Sequence, residues 1–202
     1  MSLVRLENIS KFFSGEPVLT GVNLRIEEGE RIALIGRNGT GKTTLFRLIV
    51  GDTDPDSGVI ECMRRARIVY LEQIPEVAPG TTVMNIALTP FADLLQMEEQ
   101  LHVLELKMAD GSEEALAAYG EYQHEFALKG GYEFRTRVRQ ILGGLGFSNE
   151  SFDMPFEALS GGWRARLMLS LSLLQEADLL LLDEPENHLD MEAREWLEEH
   201  IQ

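Results

Sequence analysis

The chain has 202 residues, 44% of them hydrophobic, which is enough for one large domain or a domain with a sizeable insertion. A formal charge of −16 excludes a general electrostatic grip on nucleic acid, which needs lysines and arginines gathered on one face. A single cysteine, Cys62, excludes an internal disulfide framework and suits a reducing compartment. No apolar run approaches the roughly 18 residues that cross a bilayer. The opening "MSLVRLENIS" has no apolar core followed by a small-residue cleavage site, so a cytoplasmic protein is expected.

The first third reads as β-rich. "VRLEN" alternates, and "GVNLRI" places Val22, Leu24 and Ile26 on one face, the period-two signal of a half-buried strand. After the turn "EEGE", the apolar run "RIALIG" has the length of a strand buried on both faces. It opens through glycine into "KTTLFRLIV", a helix predicted to end at Gly51. "DTDPDSG" is a turn, and "GVIECM" and "RIVYLEQ" are two further short strands.

Residues 81–147 change to helical spacing. Leu94, Met97, Leu101, Leu104 and Met108 recur at alternating intervals of three and four, a heptad-like stripe. "ADGS" breaks it. Ser112 is a candidate N-cap with Glu113 and Glu114 in the first turn, and Ala115, Tyr119, Tyr122 and Phe126 repeat the stripe. Two helices with facing stripes predict an antiparallel hairpin over 93–129, projecting roughly 25 Å at about 1.5 Å per residue. Two ordinary core helices would give the same short pattern. "GYEFRTRVRQILGGLGF" is a further helix, "SGGWRARLMLSLSLL" another, followed by the strand "DLLLLD" and a last helix, "MEAREWLEEHIQ".

Gly36–Thr44, "GRNGTGKTT", is a complete phosphate-binding loop between a predicted strand and helix. Gly36, Arg37, Asn38, Gly39, Thr40, Gly41 and Thr44 would supply backbone and flanking groups around a phosphate chain, backed by the positive end of the helix. Lys42 would reach the β- and γ-phosphates, and the Thr43 hydroxyl would ligate Mg²⁺. Asp183 closes the leucine-rich strand, where a P-loop nucleoside triphosphatase holds the metal through its water shell. Four leucines running into two carboxylates therefore need a cation opposite, because unpartnered buried charge is costly. Glu184 follows, placed to polarise an attacking water.

"LSGGWRARLMLSLSLL" narrows the choice. Leu159-Ser160-Gly161-Gly162-Trp163 resembles the signature motif of the ATP-binding-cassette (ABC) ATPases, and the resemblance covers the whole chain. It implies an α/β P-loop cassette with an antiparallel β subdomain, a RecA-like core and a helical subdomain. In that family Gln73 is similar to the glutamine that contacts Mg²⁺ and the attacking water. Phe13 falls where an aromatic ring stacks on adenine, with Phe12 as the alternative, and Asn187–Asp190 resembles the D-loop. The resemblance further implies that two cassettes sandwich two ATP molecules, so Ser160, Gly161 and Gly162 would complete a partner's site.

Three features resemble the ABC-F branch, whose members carry two cassettes and act on the ribosome in translation or antibiotic resistance. Trp163-Arg164 follows the signature glycines, "DEPENHLD" matches that branch's block apart from Glu186, and the stretch from Gln73 to Leu159 leaves room for an arm. The arm would be the hairpin 93–129, although its nine carboxylates against two lysines are the wrong sign for touching RNA phosphates. His102 and His124 read as ordinary surface residues of these helices. The family's switch histidine has no counterpart, since His188 belongs to the D-loop and His200 comes too early. Residues 1–202 are thus expected to be a C-terminally truncated first cassette with weak or no turnover alone. The alternative readings are the ATPase subunit of a membrane transporter and a scaffold gated by ATP without hydrolysis, which the presence of Glu184 disfavours.

Overall fold

A computed structural model describes residues 2–70, 77–109 and 113–201. Gln73 and the candidate cap Ser112 lie outside the described residues. The chain divides into two compact units, Met1–Ile74 with Gln175–Asn187, and Pro75–Leu174 with His188–Gln202.

In the first unit, β1 (Ser2–Phe13) pairs antiparallel with β2 (Glu16–Glu27) on one side and β3 (Ser57–Cys62) on the other. The β1–β2 connection is the two-residue turn Ser14-Gly15, both with positive φ (50° and 86°), the geometry that matches the twist of a hairpin. The expected alternation holds: Ile26 is buried and Val22 and Leu24 half-buried, with exposed residues between them. A second sheet pairs β4 (Ile68–Tyr70) in parallel with β5 (Leu179–Leu181), in register Ile68 to Leu179 and Tyr70 to Leu181. The helix α1 (Lys42–Val50) packs its buried Leu45, Leu48 and Ile49 into one core with Leu3, Val4, Leu6, Ile9 and Leu181. It ends as predicted: Gly51 adopts φ 82°, and the Asp52 N–H returns to the Arg47 carbonyl at 2.9 Å, a Schellman closure.

One expectation fails. Residues 31–36, "RIALIG", form no strand, and Ile35 is 97% and Ile32 45% exposed. A run of this composition is buried on both faces only when a ladder holds it. Here β4 and β5 pair with each other, and 31–36 joins neither sheet. The leucine run before Asp183 is also less deeply set than its composition suggests, since of Leu179 to Leu182 only Leu181 is buried.

The second unit is helical. Thr82 caps α2 (Val83–Ala87) by accepting from the Asn85 N–H at 3.3 Å. Helices α3 (Ala92–Ala109) and α4 (Glu113–Leu128) pack against each other. Their stripe is buried at Leu94, Met97, Leu101 and Phe126 and again at Ala115, half-buried at Leu104, Met108 and Tyr119, and 39% exposed at Tyr122. Then follow α5 (Phe134–Gly144), α6 (Gly161–Leu174) and α7 (Met191–His200). The latter half of α6 is buried on all sides, Ser170 and Ser172 included, and their hydroxyls donate back to the Leu167 and Met168 carbonyls at 2.6 and 3.4 Å. Helix α5 meets α7 at Gly144, where a Cβ would overlap the Trp196 ring. Among the described residues, no helix is long and apolar enough to cross a membrane.

Candidate functional site

The loop before α1 is shaped by its glycines. Gly41 sits at φ 93° and caps the helix, and a Cβ there would press against Leu19 Cδ2 at 2.9 Å and the Val18 carbonyl at 3.2 Å. Only glycine fits both conditions. Thr40 tightens the turn by donating its hydroxyl to the Arg37 carbonyl at 2.9 Å. The first N–H groups of α1 have no intrahelical acceptor and face outward as anion donors.

Lys42 folds back over this loop. Its ammonium donates to the carbonyl of Gly36 at 2.9 Å and lies 3.4 Å from that of Arg37. It also stands 3.5 Å from Glu184 Oε1, as an ion pair. The Thr43 hydroxyl donates to Asp183 Oδ2 at 2.6 Å, joining the first turn of α1 to the residue just past β5. The parallel pairing of β4 and β5 sets this up, because both strands end on the same side, where ligands of open α/β sheets bind.

Two partners were not legible in the sequence. Tyr70 closes β4 and donates its hydroxyl to Asp183 Oδ2 at 3.4 Å, and burial, then the Asp183 charge, push its phenol above the usual tyrosine range. Asn187 donates its side-chain amide to Glu184 Oε2 at 2.9 Å. Glu184 itself has φ 48°, a region that non-glycine residues seldom occupy and that recurs at functional sites. Its two oxygens are thus divided between Lys42 and Asn187.

Lys42, Thr43, Asp183, Glu184 and Asn187 line a cavity of about 510 Å³, together with Asn38, Gly39, Gly41 and Thr44 of the loop and with Phe13. Val18 completes the wall, a contribution that only the fold reveals. Phe13 is half exposed, with the Lys11 ammonium 5.6 Å from its ring centroid. The donor set suits a polyphosphate with a hard cation: the Lys42 ammonium, the Thr43 hydroxyl, the Asp183 carboxylate and backbone N–H groups of the loop. Magnesium keeps much of its shell as water and phosphate oxygen. A site of this kind therefore needs no cage of three protein carboxylates, and none exists among the described residues.

Ser160, Gly161 and Gly162 open α6 in the second unit. The helix is braced by two arginines. Arg164 lies over the Phe156 ring and donates to the Glu157 carbonyl at 3.0 Å. Arg166 lies over the Trp163 ring and donates to the His188 carbonyl at 2.8 Å and to Asp190 Oδ2 at 3.0 Å. Asp190 also caps α7 through the Ala193 N–H at 2.9 Å; that bond first, and Arg166 second, hold its carboxyl below the usual range.

Residues 19–187 match the family described as "ABC transporter". Along nearly its whole length the chain is 38% identical to "ABC transporter F family member 5" of Arabidopsis thaliana, covering 98% of this chain and 30% of that protein. It is 36% identical to "Tylosin resistance ATP-binding protein TlrC" of Streptomyces fradiae, over 99% of this chain and 37% of that one. "ATP-binding protein Uup" of Haemophilus influenzae is 33% identical over 100% of this chain and 31% of its own. The chain thus spans about a third of the length of these relatives. Among solved structures, "Structure of ATP binding subunit of ABC transporter" superposes with a TM-score of 0.64 at 24% identity, covering 98% of this chain and 73% of that one. That likeness concerns the fold.

Proposed function

The chain belongs to the ABC transporter family and is an ABC ATPase domain of the ABC-F type, and from that premise we propose that it binds ATP with Mg²⁺ in the cavity at the head of α1 and hydrolyses it to drive cassette movements on the ribosome. The observation that supports the nucleotide reading is the Thr43–Asp183 bond, which brings the loop hydroxyl and the strand-end carboxylate within 2.6 Å, a spacing that suits two ligands of one cation.

Thr43 and Asp183 would hold the metal, joined by Gln73. When bound, the metal offsets charge building on the phosphate oxygens. Lys42 exchanges its carbonyl and Glu184 contacts for the β- and γ-phosphates, to which an ammonium binds more strongly. That exchange releases Glu184 Oε1 to accept a proton from water, while Asn187 keeps hold of Oε2 and so sets the direction of the free oxygen. Phe13 offers its exposed ring to the adenine. Ser160, Gly161 and Gly162 complete the site of a second cassette, whose signature completes this one, so the domain alone turns ATP over weakly.

The ribosome and the cytoplasm as its place of action are proposed from the ABC-F type, the "DEPENHLD" block and the α3–α4 hairpin, which we read as the arm. The test is co-sedimentation with ribosomes of the protein carrying Glu184→Gln, in ATP, with and without residues 93–129. Pelleting that depends on the hairpin supports the reading. A protein that stays in the supernatant overturns the ribosomal part and leaves the nucleotide part standing.

A further inference from the structure

A second cavity, of about 690 Å³, lies in the helical unit between α3, α4 and the segment leading into α5. Leu101 and the ring of Phe126 form its buried floor, and Gly131 lies against that ring so closely that a Cβ would overlap it. Tyr132 stands edge-on to Phe126 at 5.3 Å and is itself 61% exposed. The polar wall is acidic: Glu98, Glu99 and Glu105 all face the cavity.

Glu98 is already neutralised. Arg135 grips it with a two-pronged fork, Nη2 to Oε2 at 2.5 Å and Nε to Oε1 at 3.3 Å, while its guanidinium lies 5.2 Å from the Phe134 ring centroid. Among the described residues, the other two carboxylates lack such a cation. Glu105 accepts from the Tyr119 hydroxyl at 3.0 Å and has the His102 ring 3.7 Å away. Glu99 has no hydrogen-bond or ion-pair partner among the described residues. The bond to Glu105 raises the Tyr119 phenol above the usual range.

We propose that this cavity is a docking site for an arginine side chain of a basic protein segment. A planar guanidinium matches the site twice over, forking onto Glu99 or Glu105 and stacking on the open ring of Tyr132, as Arg135 does on Glu98 and Phe134. An ammonium satisfies the charge but not the fork. The cavity exceeds one side chain, so neighbouring residues of the segment enter with it. The hairpin's nine carboxylates against two lysines over 93–129 draw such a partner in and repel a phosphate backbone. The contact is separate from the P-loop cavity and goes beyond the nucleotide reading.

The test is titration of the protein, without nucleotide, with an arginine-rich nonapeptide, followed by calorimetry and by the ring resonances of Tyr119, Tyr132 and Phe126. We expect saturable binding that moves those resonances and weakens about tenfold or more in Glu99→Gln/Glu105→Gln, but within about twofold in the equally charged control Glu192→Gln/Glu195→Gln on α7. Equal losses in the two variants would reduce the effect to net charge and overturn the site. Spermidine or a lysine nonapeptide binding as tightly, or preference for a single-stranded oligonucleotide, would overturn the arginine assignment. Absence of binding overturns it outright. Because no ATP is present, failure here leaves the nucleotide reading untouched.

Discussion

Thr43 and Asp183 are separated by 140 positions, yet their side chains share a 2.6 Å hydrogen bond. The contact brings together the head of α1 and the residue just past β5, the two groups proposed above as ligands of a cation bound to phosphate. Removing the hydroxyl while keeping the branched shape isolates this role. Thr43→Val is expected to weaken Mg·ATP binding by about tenfold, roughly 1.4 kcal/mol, and to leave metal-free ATP binding nearly unchanged. Titration of a fluorescent ATP analogue with Mg²⁺ and then with EDTA measures both. An equal loss in the two conditions would assign Thr43 to the loop's shape instead.

Glu184 faces Lys42 at 3.5 Å, so under the proposed mechanism its carboxylate competes with the nucleotide for the same ammonium. Neutralising it removes that competition together with a negative charge beside the phosphates. Glu184→Gln should therefore bind ATP several-fold more tightly, while turnover by the assembled protein falls by at least about 100-fold. Phosphate release and equilibrium dialysis give the two numbers. Tighter binding with normal turnover would mean that another group activates the water.

Much of this site was legible because its parts are local. Gly36–Thr44 and Asp183-Glu184 each bring several functional groups within a few residues, and Gly51 marks the end of α1 through its own left-handed conformation. Groups that act across the fold left weaker traces. Tyr70 reaches Asp183 only because β4 lies beside β5, and Asn187 turns back to Glu184 only because Glu184 adopts a positive φ. Composition misled at residues 31–36, since an apolar run states what a segment can bury but not whether a ladder partner exists. The α3–α4 stripe also read as continuous, yet along α3 its burial weakens from Leu101 to Met108, while the small Ala115 of α4 stays buried.

Neighbouring glycines of α5 should respond in opposite directions. A Cβ on Gly143 meets nothing within 4 Å, whereas one on Gly144 overlaps the Trp196 ring of α7. Gly143→Ala gains helix propensity and is expected to stabilise by about 0.5–1 kcal/mol. Gly144→Ala forces α7 outward and should cost roughly 1–3 kcal/mol. Urea denaturation of the two variants decides it; stabilisation by both would mean that Trp196 swings aside freely.

His200 makes the acid side of the stability profile testable. It stacks on Trp196 with ring centroids 4.6 Å apart, and burial first, then the charge of Arg137, lower its pKa from the ordinary 6.5. The folded state therefore holds fewer protons on this ring than the unfolded state does, and stability must rise with pH across the interval between the two pKa values. Well above pH 6.5, where the ring is neutral in both states, the contribution is complete. As pH falls from there to the lowered folded value it is lost, and below that value it stays lost. His200→Phe keeps an aromatic ring against Trp196 but cannot take up a proton. The difference in urea midpoint between wild type and variant should thus shrink or reverse from about pH 7.5 to about pH 5 in the variant's favour. A difference that does not change with pH would show that the His200 ring titrates alike in the folded and unfolded chain.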